Sequence, residues 1–180
     1  MVKGVKRRKG TRRRKPRKMY IDVDGVLVVW DRAHNCIELA RGFGRLMRFC
    51  KIHNIQPYWL TMWHRKPTTL DGLNCLLWPL TSPTMAIPQV APYGEKGKTS
   101  AIDYDSDFVW IEDGISPQDL AVLEQRGVAD RFFWTEGLDP DCLIKFMAFT
   151  RKKMKLPKIR DWGPKWESHF SRPRRRARRS

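Results

Sequence analysis

Two kinds of hydrophobic pattern alternate along residues 19–150. Short runs rich in aromatic and β-branched residues predict strands at 19–24, 57–61, 108–113 and 131–135. Between the first two runs, apolar side chains recur every three or four residues, at Leu39, Phe43, Leu46, Met47 and Cys50. This is the period of an amphipathic helix. Strands that alternate with helices predict an α/β fold, a doubly wound, Rossmann-like parallel sheet with helices on both faces.

Two further helices are indicated by their start signals. Ser116 followed by Pro117 is typical of an N-cap and first helical position, and the pattern continues to Gly127. Asp139 precedes a second helical pattern over residues 143–154. The proline-rich segment 76–97 shows no helical period and is predicted to be a loop with one short strand near 86–90.

The charge of the chain is concentrated at its two ends. The 180 residues carry a formal net charge of +17, and eleven basic residues in 1–18 together with six in 172–180 account for the whole excess. Neither end contains an acid or enough apolar surface to offset the entropy of folding. We therefore predict a disordered basic arm at 1–18, one folded domain at 19–156, and a basic, largely irregular tail at 157–180.

The basic ends predict binding to a polyanion, because phosphates neutralised by Lys or Arg release counterions. The candidate nucleic-acid contacts are Arg12, Arg13, Arg14, Lys15, Arg174, Arg175 and Arg176. Roles in solubility or in targeting are the alternatives. The apolar runs are too short to cross a membrane, so no membrane partner is predicted. Scattered cysteines without a C-x-x-C pair favour the cytoplasm of a bacterium or a phage-infected cell, with a nuclear or organellar location left open.

Polar side chains stand at the ends of three predicted strands. Asp22 and Asp24 end the first strand, Thr61 ends the second, and Glu112 and Asp113 end a later one. In an open parallel sheet these strand ends meet at one edge, where ligands bind. We expect a site for phosphate chemistry there, although an isolated D-x-D-G segment could also do no more than cap a turn.

These segments resemble the motifs of the haloacid dehalogenase (HAD) superfamily of phosphohydrolases, in the same order along the chain. The resemblance covers roughly residues 19–150 and rests on Tyr-Ile-Asp-Val-Asp-Gly-Val at 20–26, Tyr-Trp-Leu-Thr at 58–61, Gly-Lys-Thr-Ser-Ala-Ile at 97–102 and Val-Trp-Ile-Glu-Asp-Gly at 109–114. It implies a HAD-like phosphatase, an enzyme that hydrolyses phosphoric monoesters.

The resemblance also implies a role for each site residue. Asp22 would attack phosphorus to form an aspartyl-phosphate, and Asp24 would act as general acid and then general base. Thr61 would donate a hydrogen bond to a phosphoryl oxygen, and Lys98 would neutralise charge in the transition state. Asp22, the main-chain carbonyl of Asp24 and Asp113 would hold Mg²⁺.

Two assignments stay open at this point. Lys96 lies two residues from Lys98 and could take its place, although the residues after Lys98 favour the start of a helix. Glu112 stands where the family more often has Asp. It would either contact the metal or only orient Lys98.

The substrate is predicted from what the chain lacks. Neither 26–56 nor 62–95 is long enough for the full cap domain that covers the site in many HAD enzymes of small metabolites. An open site with basic ends predicts a polynucleotide phosphatase, resembling the phosphatase modules of polynucleotide repair enzymes and small HAD domains associated with RNA repair. The alternatives are a phosphatase of small nucleotides or sugar phosphates with targeting tails, and a non-catalytic nucleic-acid- or ribosome-associated protein on a HAD scaffold.

Overall fold

A five-stranded, all-parallel sheet forms the centre of the protein. The computed structural model describes residues 15–31, 36–65, 71–72, 75, 88–136 and 139–157. The strand order is β5-β4-β1-β6-β7. The strands are β1 (Arg17–Ile21), β4 (Ile55–Trp59), β5 (Gln89–Val90), β6 (Asp107–Glu112) and β7 (Phe132–Trp134). All five lie within or next to segments that the hydrophobic pattern predicts.

Among the described residues, three helices with known bounds pack on the two faces of this sheet. They are α1 (Phe43–His53), α2 (Pro117–Gln125) and α3 (Cys142–Lys153). The apolar side chains of α1 and α3 belong to one buried cluster with alternate residues of β1 and β6, whereas Leu123 of α2 belongs to a second cluster with the intervening residues. Because successive strand residues point to opposite faces, these two clusters are the two sides of the sheet. The predicted α/β doubly wound class is confirmed.

Two large indoles lie at the centre of these layers. Trp59 of β4 is fully buried in the cluster beneath α1 and α3, and Trp110 of β6 is fully buried in the cluster beneath α2. Burial of an apolar side chain of this size contributes about 2–3 kcal/mol. One indole thus holds β4 on the side of α1 and α3, and the other holds β6 on the side of α2.

An antiparallel hairpin that the sequence analysis did not predict lies between β1 and α1. Its strands are β2 (Val28–Asp31) and β3 (Cys36–Leu39). Leu39, which the spacing assigned to the first helix, is the last residue of β3, and α1 begins at Phe43 after Gly42 with φ 91°. This small hairpin is an insertion after β1, and the residues that the structure describes contain no cap domain.

The predicted domain limits need one correction. Arg17 and Lys18 belong to β1, so the last two residues of the predicted basic arm are part of the sheet. At the other end, Leu156 is buried in the core. Across the described residues, none of the helices has the length and apolar character to span a membrane.

Candidate active site

Asp22 continues the line of β1 at the carboxyl edge of the sheet. Its backbone N–H donates to the carbonyl oxygen of Ile111 at 3.2 Å, and the N–H of Leu60 donates to the carbonyl of Ile21 at 2.9 Å. Both neighbouring strands thus hold the backbone from which Asp22 projects. The side chain is buried, with 4% of the residue exposed. A carboxylate in this position requires charged or hydrogen-bonding partners.

Lys98 is the positive partner of this carboxylate. Its Nζ lies 3.0 Å from Asp22 Oδ1, and it donates to both carboxylate oxygens of Glu112 at 2.8 and 2.6 Å. The ammonium of Lys98 therefore joins the ends of β1 and β6. Lys96, the alternative left open above, is exposed.

The pKa values in this group follow from burial and mutual charge. Burial opposes the charged form of Lys98, but the carboxylates of Asp22 and Glu112 outweigh it, and the pKa of Lys98 is raised. Burial also raises the pKa of Glu112, to which the hydrogen bond and charge of Asp22 add, while Lys98 opposes the change. Lys98 is therefore a permanent cation at neutral pH, and its charge offsets only part of the rise in the pKa of Glu112, which reaches about 10.

Asp113 completes an acidic cluster with Asp22 and Glu112. One carboxylate oxygen from each residue lies within 4.8 Å of the others. Burial, followed by the charge of Asp22, raises the pKa of Asp113. A set of three carboxylates offers only hard oxygen ligands, which fit Mg²⁺ and not the softer metals. The predicted ligands Asp22 and Asp113 are brought together, and Glu112 joins them.

The turn after β1 leaves space for Asp113 only because residue 25 is glycine. Gly25 has φ +69°, a value that L side chains rarely adopt, and a Cβ added there would overlap the carboxylate of Asp113. The N–H of Gly25 donates to the carbonyl of Val28 at 3.0 Å, which closes the turn. The D-x-D-G segment therefore does cap a turn, and the same turn brings two strand ends into contact.

Asp24 lies beside this cluster and is held by an indole. Trp63 Nε1 donates to Asp24 Oδ2 at 2.5 Å. Partial burial raises the pKa of Asp24, and the hydrogen bond from Trp63 opposes that rise. An indole N–H can only donate, so a proton on Asp24 is directed to the other oxygen, Oδ1. The sequence analysis did not assign Trp63 this contact.

Thr61 follows β4 at the same edge and is almost fully buried, with 1% exposed. The N–H of Trp63 lies 3.4 Å from its Oγ1, in a short 3₁₀ turn that covers Met62–Arg65. Thr61 and Asp22 therefore project from adjacent parallel strands. The structure brings all five predicted strand-end residues, and Lys98, to one edge of the sheet.

Asp119 is a positioning residue that sequence reasoning missed. Its Oδ1 accepts from the backbone N–H and the hydroxyl of Thr99 at 2.9 and 2.7 Å, and its Oδ2 accepts from Ser116 Oγ at 2.7 Å. A Cβ on Gly97, where φ is +84°, would lie 2.5 Å from Asp119 Oδ1. The short turn that carries Lys98 is thus fastened to the first turn of α2. The spacing Ser116-x-x-Asp119, typical of a capped helix start, was the available signal.

The predicted nucleic-acid contacts lie elsewhere. Lys15 is exposed just before β1, at the edge of the sheet opposite the acidic cluster. The six arginines of the same prediction fall outside the described residues; they are Arg12, Arg13, Arg14, Arg174, Arg175 and Arg176. Their role stays a prediction.

Comparison with known proteins adds no family to this description. No protein-family model matches the chain, and no curated protein matches it at a significant level.

Proposed function

We propose that this protein is a Mg²⁺-dependent, HAD-type phosphatase that removes phosphate from nucleic-acid ends. The observation that carries the proposal is the ammonium of Lys98 between Asp22 and Glu112, next to Asp113. A buried carboxylate with a fixed cation and two further acids at a sheet edge is a suitable nucleophile for a phosphate ester. The resemblance of the four motifs to HAD enzymes supports the same reaction.

The proposed reaction has two displacements at phosphorus. In the first, a carboxylate oxygen of Asp22 forms a bond to phosphorus as the ester P–O bond breaks, and the leaving oxygen takes a proton from Asp24. In the second, water attacks the aspartyl-phosphate, Asp24 takes its proton, and the Asp22 carboxylate is released with inorganic phosphate. Trp63 positions Asp24 for both transfers, because its N–H holds one carboxylate oxygen.

The charge of the site supports the proposed divalent cation. The carboxylates of Asp22, Asp24 and Asp113 outnumber the ammonium of Lys98 beside them, so the site is negative when they are ionised, even with a proton on Glu112, whose pKa is raised to about 10. A phosphate monoester, itself an anion, is repelled by this charge. Bound Mg²⁺ supplies neutralisation and a template for the phosphoryl oxygens. Asp22 and Asp113 would hold it, and Glu112, both of whose oxygens bind Lys98, would mainly orient that lysine.

The folded domain itself carries a basic surface that supports a polyanionic substrate. Residues 40–54, which contain α1, include four basic residues and no acid. Of these, Arg41, Arg48 and Lys51 are exposed, and on α3 Lys152 is also exposed. Arg151 of α3 lies 6.0 Å from the ring of Phe49 in α1, so the basic parts of the two helices are neighbours. Phosphates of a nucleic acid would be attracted to this surface as well as to the basic ends.

Phosphate release from matched substrates tests the proposal. The substrates are 3′- and 5′-phosphorylated oligonucleotides and a mononucleotide, each with Mg²⁺ and with EDTA. Asp22→Asn is compared with Asp130→Asn, which makes the same chemical change at an exposed carboxylate on the surface. We expect release from one oligonucleotide end that requires Mg²⁺ and is lost in Asp22→Asn only.

Other outcomes would contradict parts of the proposal. Comparable turnover of mononucleotide and oligonucleotide would support the small-molecule phosphatase instead. No release from any substrate, despite tight oligonucleotide binding, would overturn the enzyme and favour a non-catalytic nucleic-acid-binding protein.

A further inference from the structure

Trp134 places a large exposed aromatic ring beside the candidate active site. It is the last residue of β7, and it pairs with Glu112 of β6 across the ladder. Its Nε1 donates to the main-chain carbonyl of Asp113 at 3.1 Å. The residue is nevertheless 56% exposed. The indole is therefore fixed at the rim of the acidic cluster with much of its surface available for contact.

This exposure is unusual because the large apolar residues that the structure describes are otherwise mostly buried. Within the described residues, the four exposed large hydrophobics are Ile52, Met62, Trp134 and Ile144. Two of them, Met62 and Trp134, follow strands at the carboxyl edge of the sheet. An exposed indole at the mouth of a polar site is a feature of recognition more often than of packing.

The second indole of the site differs in both burial and contact. Trp63 is half-buried, packs against the core, and gives its N–H to Asp24. It lies after β4, whereas Trp134 lies at the end of β7, on the other side of β1 in the sheet order. Trp63 thus acts on the catalytic carboxylate, and Trp134 is left with an open ring surface at the opposite flank.

We propose that Trp134 is the stacking platform for the terminal nucleobase of the substrate. This inference rests on the proposed function, since the base belongs to the nucleotide whose phosphate reaches Asp22. Trp134 lies two strand spacings from β1, about 10 Å, which is within reach of the base of a nucleotide bound by its phosphate. Aromatic rings stack on every base, because each base has a π-face. The platform would therefore select a nucleoside without selecting its sequence.

The basic surface and the platform would act on different parts of the substrate. Cationic residues on α1 and α3 attract any phosphate backbone, and they do not distinguish the last nucleotide from the others. A ring at the site does, because stacking requires the end base to lie there. The chemical class of substrate is therefore a nucleic-acid end that retains its terminal base, in preference to an abasic end or a sugar phosphate.

Binding measurements in an Asp22→Asn background test this without depending on turnover. The probes are labelled oligonucleotides of the same length with a terminal phosphate, at the 3′ or the 5′ end, that carry either a base or an abasic analogue at the last position. Binding is measured for Asp22→Asn alone and combined with Trp134→Ala, Trp134→Phe or Gln125→Ala. Gln125 is the control, since it is exposed and ends α2, outside the basic surface of α1 and α3 and away from the acidic cluster.

We expect Trp134→Ala to weaken binding of the base-terminated probe by about 5- to 150-fold, the range of single base–aromatic stacks. Binding of the abasic probe should be unchanged. Trp134→Phe keeps a stacking ring but loses the indole N–H, and it should retain most of the affinity. Gln125→Ala should match the parent for both probes. Thermal unfolding of each variant verifies that the fold is intact.

Three results would overturn the platform. They are an equal loss for both probes in Trp134→Ala, no loss for either, or a Trp134→Phe variant as weak as Trp134→Ala, which would assign the effect to the hydrogen bond with Asp113. Preserved base discrimination with no phosphate release by the unmodified protein would overturn the catalytic proposal alone. Failure of both probes to bind would overturn both.

Discussion

Replacement of Asp119 is expected to uncouple Lys98 from the active site. Asp119 accepts three hydrogen bonds at 2.7–2.9 Å, two from Thr99 and one from Ser116, and it is 5% exposed. Thr99 is 3% exposed, so Asp119→Ala leaves two buried donors without their acceptor. Hydrogen bonds to charged groups contribute about 1.5–3 kcal/mol each, and they are not additive. We expect Asp119→Ala to lower the free energy of unfolding by about 3–5 kcal/mol.

Asp119→Asn removes the negative charge at this position and keeps the shape of the side chain. The amide oxygen can still accept from Thr99, so we expect the free energy of unfolding to fall by a smaller amount, about 1–2 kcal/mol. The matched control is Asp130→Ala, whose carboxylate is 64% exposed and pairs with Lys153 at 2.9 Å. An exposed pair of this kind contributes about 0–1 kcal/mol. Urea unfolding at pH 7 measures all three variants. A loss in Asp119→Ala no larger than in Asp130→Ala would refute the positioning role.

The effect of Asp119 should also depend on pH. Burial alone would raise the pKa of Asp119, but the hydrogen bonds from Thr99 and Ser116 outweigh burial and lower it. A carboxyl group with a lowered pKa in the folded state stabilises the protein fully above its unfolded pKa, about 3.9, and loses that contribution as pH falls through the folded value. The stability difference between Asp119→Asn and the parent should be constant from pH 7 to about pH 5 and narrow below about pH 4. A difference that grows on acidification would contradict this reasoning.

Three further predictions concern the site. Gly25→Ala forces a Cβ into the Asp113 carboxylate at a residue with φ +69°. It should lower the free energy of unfolding measured in urea by about 2–4 kcal/mol and abolish phosphate release. Mg²⁺ at about 100 times its Kd should stabilise the parent by about 2.7 kcal/mol, seen as a higher Tm, and Asp113→Asn should lose most of this shift while Asp130→Asn retains it. Trp63→Phe removes the donor that opposes the raised pKa of Asp24, so the Asp24 limb of the pH–rate profile should move to higher pH; an unchanged limb would argue against that contact.

The meeting of the strand-end residues could be predicted because all strands of a parallel sheet end at the same edge. Asp22, Thr61 and Glu112 each follow an apolar run, and all such runs point the same way in a doubly wound sheet. Once the runs were recognised, the meeting of their last residues needed no tertiary information. Lys98 was predicted from the resemblance to HAD motifs and not from the pattern, because its turn lies outside the strands.

The contacts of Asp119 and of the two indoles could not be predicted in the same way. Asp119 and Thr99 are 20 residues apart, and the capped-helix pattern at Ser116 accounts for only one of the two carboxylate oxygens. Trp63 and Trp134 reach their partners through side-chain rotamers, which the hydrophobic pattern does not encode. Such contacts depend on how helices and turns pack on the sheet, and they become visible only in three dimensions.

The hairpin was missed for a related reason. Leu39 lies four residues before Phe43, so its spacing fits a helix although it ends β3. Gly42, with φ 91°, separates the two elements. A glycine at this point in the sequence fits either the interior of a helix, which it destabilises, or a break between a strand and a helix. The difference is decided by the hydrogen bonds between β2 and β3 and not by any property of residues 39–43 alone.

The two edges of the sheet differ in the charge of the residues that lie there. In the described part of the chain, the carboxyl edge brings Asp22, Asp24 and Asp113 beside Lys98, and without a bound cation this cluster repels phosphate. At the other edge, Arg17 donates to the carbonyl oxygen of His53 at 3.0 Å, which places the start of β1 beside the end of α1 and its basic surface. The basic segments of the chain are attached to this edge, because β1 is preceded by one of them and α3 is followed by the other. Under the proposed function, attraction of a polyanion and chemistry on its end would be separated by the length of the sheet. The affinity for the polymer would then not require cations in the site that compete with a metal for Asp22 and Asp113. A phosphatase of small esters would gain nothing from this separation, so the arrangement favours the polymeric substrate.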